Sequence, residues 1–286
     1  MVEQARILVT GASGTVGRHV VSQLSAGQGA VRAMSRRAPA LRLPDGVEPA
    51  SGDLTDLRSL EQALVGIDGV FLLWPFPTVE GAAEVVELLA ERVRRVVYLS
   101  SAAVRDLPGR PPASPGRPDA EVEWLIARSG LEHTFLRPHG FMANTLRWAA
   151  EIRADGVVRG YGGAAGLALI DERDIAAVAV RALTGDGHDG AAYSLTGPAA
   201  PTQAEQLRII GEAVGRPLRW EETGRPVAQR QMLASGWPAG VVDGALDYLT
   251  TRLDSAEPVT STVQDVTGAP GRTLEQWAAD HAEDFR

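Results

Sequence analysis

Hydrophobic positions follow two periods in turn along this chain, and they predict alternating strands and helices. Residues 6–10 read RILVT, a short run with β-branched side chains that predicts a strand. Val16, Val20 and Leu24 then recur at the spacing of one helix face. The segment GASGTVG lies between the two elements. A strand, a glycine-rich turn and a helix in this order form the first half of a mononucleotide-binding βαβ unit.

The three glycines of this turn each have a physical reason to lack a side chain. We expect Gly11 to adopt unusual backbone angles, Gly14 to let a pyrophosphate approach the backbone, and Gly17 to let the helix pack closely on the strand. Phosphates would then accept hydrogen bonds from N–H groups at the positive end of the helix dipole. A plain glycine turn is the alternative.

The same alternation continues to about residue 138. The predicted elements after the first helix are a strand at 30–34, a helix marked by Leu57, Leu60 and Leu64 with Asp56 as its cap, a strand at 70–73, a helix with Val79, Ala82, Val86, Ala90 and Val93 on one face, a fifth strand in RRVVYLSS, a helix at 120–128 and a sixth strand at 134–136. Strands that alternate with helices predict an α/β fold, a Rossmann-like doubly wound parallel sheet.

The end of the second predicted strand indicates which nucleotide binds. Units of this type place an acidic residue there for a ribose 2′-hydroxyl, whereas arginine suits a 2′-phosphate. Arg36 and Arg37 stand at that point, and no carboxylate does. The prediction is NADP(H) in preference to NAD(H), the alternative being an arginine pair solvated in a loop. Asp53 follows a short third strand, where it would meet the adenine amino group or act as a turn or cap residue.

Beyond residue 140 the alternation loosens. A helix from Asp171 and a strand in AAYSLTG are expected, and two capping boxes mark helix starts, Thr202 with Glu205 and Thr273 with Gln276. We therefore expect a Rossmann-like NAD(P)-binding domain over residues 1–155, to which 171–197 return. The smaller C-terminal substrate-binding cap is expected mainly over 156–286.

Composition narrows the class of protein. The chain has 286 residues, 44% of them hydrophobic and 22% charged, with no membrane-length apolar run and no signal-peptide pattern. It has no cysteine and only scattered histidines, so we expect no disulfide and no metal site. A net charge of −8 without a basic cluster argues against nucleic acid. We expect a cytoplasmic protein that binds a small molecule and no membrane, with a homodimer left open.

Two loops are expected near the ligand. Residues 74–77 read WPFP, which cannot continue a central strand and should lie over the carboxyl edge of the sheet, where such folds bind ligands. Residues 107–118 are too rich in proline for a regular element and predict a loop or flap. Trp74 and Phe76 are predicted pocket walls. The aromatic residues expected to pack in the core are Tyr98, Trp124, Trp148 and Trp277.

Taken together, these motifs resemble the NmrA-like branch of the atypical short-chain dehydrogenases/reductases. The likeness is carried by VTGASGTVGRHVV, VRAMSRR, GDL, SGLEHTFLRPHGFMAN, IDERDIAAVAVRAL and APGRTLEQWAADHAEDF, which span nearly the whole chain. It implies bound NAD(P)H with its nicotinamide near Ser100, Pro138 and Phe141. The candidate cofactor-binding residues are Gly11, Ser13, Gly14, Thr15, Val16, Gly17, Arg36, Arg37, Asp53, Leu54, Leu73, Trp74, Ser100, Pro138 and Phe141. Members are reductases of quinones, triphenylmethane dyes or related acceptors, or NADP-sensing regulators without turnover.

The chain departs from the wider superfamily in its proton donors. There, a tyrosine with a lysine four residues on donates the proton, and a serine steadies the substrate oxygen. The matching positions here fall near Pro115 and Asp119, and the usual third serine is Ala102. All 28 basic residues are arginine, so the sequence has no lysine. The tyrosine-lysine mechanism and a Schiff base are therefore excluded.

The missing dyad favours an acceptor that needs little help with its proton. Hydride transfer to an isolated ketone leaves a strongly basic alkoxide, whereas a quinone, quinone methide or iminium ion gives a delocalised anion or a neutral amine. We therefore predict NADPH-dependent reduction of a small conjugated or cationic acceptor. The candidate substrate-binding residues are Trp74, Phe76, His139, Phe141, Met142, Asn144 and Tyr161.

His139 is the first candidate for a proton donor, because histidine titrates near neutral pH and this one follows the sixth strand. Tyr161 is the second candidate, and a loop histidine without a chemical role is the alternative. Two other functions stay open on the same fold. One is a non-catalytic NADP(H) sensor whose state a protein partner reads, and the other is an isomerase or cyclase.

Overall fold

The structure of the protein is a computed structural model that describes residues 5–27, 29–37, 42–106 and 118–286. The chain divides into two units by its internal contacts. Unit 1 comprises Met1–Pro138, Glu172–Leu195 and Asp265–Gly268, and unit 2 comprises His139–Asp171, Thr196–Gln264 and Ala269–Arg286. The expected domain boundary at residue 155 stays a prediction.

The strands of the described residues form two parallel sheets. They are β1 (Arg6–Val9), β2 (Ala30–Ser35), β3 (Glu48–Ser51), β4 (Gly69–Leu73), β5 (Arg95–Leu99), β6 (Glu132–Pro138), β7 (Val157–Gly160), β8 (Ala191–Leu195) and β9 (Arg219–Glu222). Unit 1 holds seven of them in the order β3-β2-β1-β4-β5-β6-β8, each paired in parallel with its neighbour. The winding reverses between β1 and β4, as in dinucleotide-binding folds. The predicted doubly wound parallel sheet is confirmed.

The described residues form eleven α-helices. They are α1 (Gly17–Ala26), α2 (Leu57–Ala63), α3 (Ala82–Arg92), α4 (Asp119–Arg128), α5 (Ala149–Ala154), α6 (Glu172–Thr184), α7 (Gln203–Val214), α8 (Arg225–Ala234), α9 (Ala239–Asp254), α10 (Thr262–Thr267) and α11 (Leu274–Asp280), with 3-10 helices at Met142–Trp148 and Ala282–Phe285. The Asp56 carboxylate accepts from the N–H groups of Arg58 and Ser59. Both predicted capping boxes are present at α7 and α11. These starts are confirmed.

The core of unit 1 lies on the central strands. Leu8 of β1, Val70 of β4 and Val96 of β5 have no exposed surface, because helices cover the sheet on both faces. Each such side chain contributes roughly 1.5 to 3 kcal/mol by its burial. Tyr98 is buried as completely, so its predicted place in the core is confirmed.

Unit 2 has a core of its own. Trp277 of α11, Trp148 and Phe285 are buried together with Ile210 of α7, and β7 pairs with β9 beside them. The predicted burial of Trp148 and Trp277 is confirmed. A second, smaller cluster joins α8 to α9 through apolar side chains, namely Ala228, Val242 and Leu246.

Trp124 of α4 is the exception among the three tryptophans predicted to pack in the core. Its side chain is 40% exposed. The guanidinium carbon of Arg128 lies 5.0 Å from its ring centroid, one helical turn further on. The prediction that Trp124 packs in the core is wrong, because its ring lies on the solvated face of α4, where a cation stacks on it.

Candidate functional site

The turn after β1 can be formed only with glycine at two of its positions. Gly11 has φ of +61°, and a Cβ there would lie 2.7 Å from Cδ2 of Leu73. A Cβ on Gly17 would lie 2.2 Å from the carbonyl oxygen of Gly11. A larger residue at either position would push α1 away from β1 or distort the turn.

The start of α1 offers backbone N–H groups that the protein does not use. Among the described residues, no acceptor receives the N–H of Ser13, Thr15 or Val16, whereas Gly14 N–H donates to the Gly11 oxygen at 2.8 Å. The helix also begins without a side-chain cap and without an acidic residue in its first turn. Unsatisfied N–H groups at a helix N-terminus bind phosphate. These residues therefore fit the pyrophosphate of NAD(P)H, whose nicotinamide supplies a hydride when bound.

The carboxylate of Asp53 takes part in a local turn. The N–H and the hydroxyl of Thr55 both donate to its Oδ1 at 2.9 Å. These hydrogen bonds lower the pKa of Asp53, and the positive charge of Arg36 adds to the effect. Arg36 and Arg37 are exposed at the end of β2. The turn role that the sequence allowed for Asp53 is thus present, and its contact with adenine stays a prediction.

The residues after β4 are held by their own neighbours. Leu73 N–H donates to the hydroxyl of Thr10 at 2.8 Å. Trp74 is buried, its indole N–H donates to the carbonyl of Thr78 at 2.8 Å, and its ring meets Phe76 edge-on at 4.9 Å between centroids. Leu54 and Trp74 belong to the core of unit 1, and Phe76 packs against that core. The structure thus fixes this aromatic pair, and its contact with a substrate stays a prediction.

A buried ion-pair network links the end of β5 to α4 and β6. The hydroxyl of Ser100 donates to Oε1 of Glu123. Arg137 donates to both oxygens of Glu123 at 3.0 and 2.7 Å, and to both oxygens of Asp106 at 2.7 and 2.9 Å. The hydrogen bonds to Glu123 are the main cause of a raised pKa for Arg137, and Arg137 in turn lowers the pKa of Asp106. The Ser100 hydroxyl proton is thus engaged by the protein.

Sequence reasoning missed this network, although a signal was present. Glu123 lies between Val122 and Trp124 in a predicted helix, and Arg137 follows the apolar end of a predicted strand, where a buried charge requires a partner. The Glu123 side chain is only 1% exposed. Pro138 ends β6 in the sheet, and its carbonyl accepts the N–H of Ala102 at 3.0 Å.

The 3-10 helix Met142–Trp148 carries several of the predicted substrate residues in unit 2. Phe141 precedes it and forms an isolated bridge with Ile170. Met142 is 1% exposed and belongs to the unit 2 core, so its side chain serves packing. Asn144 is exposed on the same helix. We therefore keep Phe141 and Asn144, and leave Met142 out of the proposed substrate contacts.

His139 is held by a buried carboxylate that the sequence did not point to. Its Nδ1 lies 3.2 Å from Oε1 of Glu257, and the two side chains are 15% and 3% exposed. The other oxygen of Glu257 accepts the N–H of Ala168 at 2.6 Å. A proton on Nδ1 of His139 would be donated to Glu257 in this contact.

Tyr161 has its hydroxyl bound within unit 2. It lies 2.9 Å from the hydroxyl of Thr250, which itself donates to the carbonyl of Leu246 at 2.8 Å. Because Thr250 donates its only hydroxyl proton to that carbonyl, Tyr161 must be the donor in the hydrogen bond between the two hydroxyls. The tyrosine also packs against the cluster of α8 and α9. This arrangement favours a structural role over proton transfer.

Some sequence-based expectations lie outside the described residues. Pro115 and residues 107–117 of the predicted flap are among them, while Asp119 begins α4. In the described part of the chain, no group of His, Asp and Glu is arranged to hold a metal ion. No helix there has both the length and the apolar character needed to cross a bilayer.

Comparisons with known proteins agree with the glycine turn and the strand order. Residues 11–186 match the protein family described as NAD(P)H-binding. A (4-alkanoyl-5-oxo-2,5-dihydrofuran-3-yl)methyl phosphate reductase from Streptomyces griseus is 43% identical over 284 residues, which cover 98% of this chain and 99% of the relative. An NAD(P)H azoreductase from Xenophilus azovorans is 35% identical over 283 residues, with 98% and 99% covered.

A solved structure shares the whole fold at lower identity. The NADPH-dependent quinone oxidoreductase QOR2 of Escherichia coli superimposes with a TM-score of 0.77 at 24% identity, and the match covers 96% of this chain and 98% of that one. At this identity the likeness concerns the fold. The family match and the two relatives carry the assignment further. The chain belongs to the NAD(P)H-binding family and is an NAD(P)H-dependent reductase of the NmrA-like, atypical short-chain dehydrogenase/reductase type.

Proposed function

We propose that this reductase uses NADPH to reduce a small, electron-poor conjugated acceptor without a tyrosine-lysine dyad. The observation that carries the proposal is the absence of lysine from the sequence. An isolated ketone would require a matched proton donor at its oxygen, and such a donor contributes about 10²- to 10⁴-fold to the rate. A conjugated acceptor spreads the incoming charge and does not depend on that donor.

The substrate named for the Streptomyces relative supports this acceptor class. Its ring has a carbon-carbon double bond conjugated to a lactone carbonyl and to an alkanoyl ketone. Hydride addition at the ring carbon β to both carbonyls leaves an enolate delocalised over two oxygens. We propose an acceptor of this class for the present chain.

The reaction balances with one hydride and one proton. The β carbon of the acceptor would receive the hydride that bound NADPH supplies, and the electron pair of the double bond would move onto the α carbon and its carbonyls. A proton then adds at the α carbon, and the oxidised nucleotide leaves. Only the proton calls for a protein group or water.

His139 is the side chain that we propose for this proton. Glu257 holds Nδ1 at 3.2 Å, so an imidazolium at this position would deliver its proton from Nε2. After delivery, the neutral ring still donates its Nδ1–H to Glu257. His139 therefore keeps one orientation throughout the step, which is the property of a positioned acid.

The proposed cofactor preference rests on the end of β2. Arg36 is exposed there and contributes its charge to the environment of Asp53. A guanidinium in this place suits the 2′-phosphate of NADPH. The NAD(P)H-binding family alone does not decide between the two nucleotides.

The test is NADPH oxidation with a panel of acceptors. The panel holds a phosphorylated acyl-butenolide, the same compound with a free alcohol, a quinone, an iminium ion and a simple ketone. We expect kcat/KM for the best conjugated acceptor to exceed that for the ketone by about 10²-fold or more. This is the rate that the ketone loses because no tyrosine-lysine dyad protonates its oxygen. Turnover confined to simple ketones would contradict the proposal. Slow oxidation that no acceptor accelerates would favour the NADP(H) sensor.

A further inference from the structure

Arg147 is a cation of unit 2 that contacts an amide and an aromatic ring. Its Nη2 donates to Oε1 of Gln203 at 3.4 Å, and its guanidinium carbon lies 5.5 Å from the ring centroid of Trp148. Within the described residues, no Asp or Glu forms an ion pair with it. Other arginines of the same unit do pair with carboxylates, among them Arg159, Arg225 and Arg272.

Gln203 is a buried, uncharged hydrogen-bond partner of this guanidinium. Its side-chain amide donates to the carbonyls of Tyr161 and Gly162 at 3.1 and 2.8 Å, and the residue is 2% exposed. With both amide hydrogens used in this way, its Oε1 is left to accept from Arg147. A buried amide thus orients the cation but does not neutralise it.

The surroundings of Arg147 make its charge costly. The side chain is exposed, yet surrounding protein strips enough water from the guanidinium to lower its pKa. Both observations hold for a group that is recessed among protein atoms but open to water. An anion brought to such a group is worth more than at an ordinary surface, because water competes less for the cation.

Glu222, which binds the backbone next to the Gln203 contacts, already has its own hydrogen-bond donors. The two carboxylate oxygens of Glu222 accept the N–H groups of Gly162 and Gly163 at 2.6 and 2.8 Å and the indole N–H of Trp220 at 2.9 Å. Three donors stabilise that carboxylate where it is. The positive charge of Arg147 is therefore left for a ligand.

We infer that Arg147 binds an anionic substituent of the acceptor, of the phosphate monoester class, with Gln203 as its positioning residue. The inference rests on the proposed function, because it takes the ligand to be the acceptor. Arg147 lies in the last turn of the 3-10 helix that also carries Asn144, and His139 comes shortly before this helix in the chain. One segment of unit 2 thus contributes both the proposed proton donor and the proposed anion site. Guanidinium binds phosphate through two parallel N–H donors, which a lysine cannot reproduce.

The test compares the phosphorylated acyl-butenolide with its free alcohol in wild type, Arg147→Met and Arg147→Lys. The readout is the ratio of kcat/KM for the two acceptors. We expect wild type to favour the phosphate by about 10- to 100-fold, as for a charge-assisted hydrogen bond, and Arg147→Met to bring the ratio close to one. Arg147→Lys should keep an intermediate ratio. Arg230→Met on α8 removes an equal charge and should leave the ratio unchanged.

Each other result overturns the inference in a recognisable way. A ratio that Arg147→Met leaves unchanged, with both acceptors still reduced, removes the role of Arg147 and leaves the proposed function intact. A loss of NADPH affinity in Arg147→Met, measured by calorimetry, would assign the arginine to the cofactor. If wild type binds NADPH but reduces neither acceptor, the proposed function fails and the anion site fails with it. Thermal unfolding of each variant shows that the fold is kept.

Discussion

We propose that Glu257 sets the orientation of the His139 ring toward the acceptor. It holds Nδ1 through one oxygen and the Ala168 N–H through the other. We predict that Glu257→Gln lowers kcat by roughly tenfold or more with little change in KM for the acceptor, because a glutamine can keep the Ala168 contact while losing control of the imidazole. Steady-state kinetics with the free-alcohol butenolide measures this.

His139→Ala serves as the reference for that variant. It should lose about 10²-fold in kcat, and added imidazole should restore part of the loss. An unchanged kcat in Glu257→Gln, or a His139→Ala enzyme that imidazole does not rescue, would show that the pair has a structural role only.

Arg36 is the residue on which the proposed preference for NADPH depends. We predict that Arg36→Ala weakens NADPH binding by about 1.5 to 3 kcal/mol, as for a hydrogen bond to a charged group, with little effect on NADH. Calorimetric titration of both nucleotides checks this, with Arg58→Ala of α2 as an exposed control in the same unit. Equal losses for both nucleotides would refute a contact with the 2′-phosphate.

The two halves of the His139 pair differ in how far the sequence could predict them. His139 directly follows a strand end within a recognisable motif, so its place in the fold could be anticipated. Glu257 lies 118 positions further along the chain, in a segment without hydrophobic periodicity. A contact of that separation is created by the packing of unit 2, and no local pattern encodes it.

At the scale of elements, Arg137 of β6 pairs with Glu123 of α4 and with Asp106 after β5, two carboxylates in different environments. The Glu123 side chain is 1% exposed, and that of Asp106 is 75% exposed. We predict that Glu123→Gln lowers the free energy of unfolding by about 1.5 to 3 kcal/mol, because it weakens the buried one of the two charged contacts of Arg137. Asp106→Asn should cost less than about 1 kcal/mol. Chemical denaturation of both variants measures the difference, and equal costs would contradict the account.

Asp106 also makes the stability of this network depend on pH. Its pKa is lowered from 3.8 in the folded protein by the hydrogen bonds from Arg137. The group therefore stabilises the fold above that value and loses its contribution as the pH falls through the lower folded-state pKa. The small difference between wild type and Asp106→Asn should be present at neutral pH and absent at strongly acidic pH.

The sheet of unit 1 was predictable because its signals are local. Buried runs such as β4 and β5 are continuous and apolar, and Asp56 caps α2 where the sequence placed the cap. In contrast, β9 reads RWEE and β7 reads VVRG, and neither was predicted. Strands of four residues with exposed charges show no alternation, and only their pairing with each other makes them strands.

At the scale of the whole molecule, the chemistry follows from what the chain lacks and what its family provides. The NAD(P)H-binding family brings the glycine turn and the hydride donor, and the lysine-free sequence leaves proton delivery to other groups. The net charge of the whole chain is −8, and we propose Arg147 as an anion site despite this overall negative charge. The cytoplasmic location and the homodimer stay predictions from the sequence.

The most direct measurement follows a labelled hydrogen from the cofactor into the product. NADPH carrying deuterium at the transferable position of nicotinamide C4 is incubated with the phosphorylated acyl-butenolide, and the product is examined by NMR and mass spectrometry. The account predicts one deuterium at the ring carbon β to both carbonyls and a hydrogen from water at the α carbon. Deuterium at a carbonyl carbon, or a product without deuterium, would contradict it.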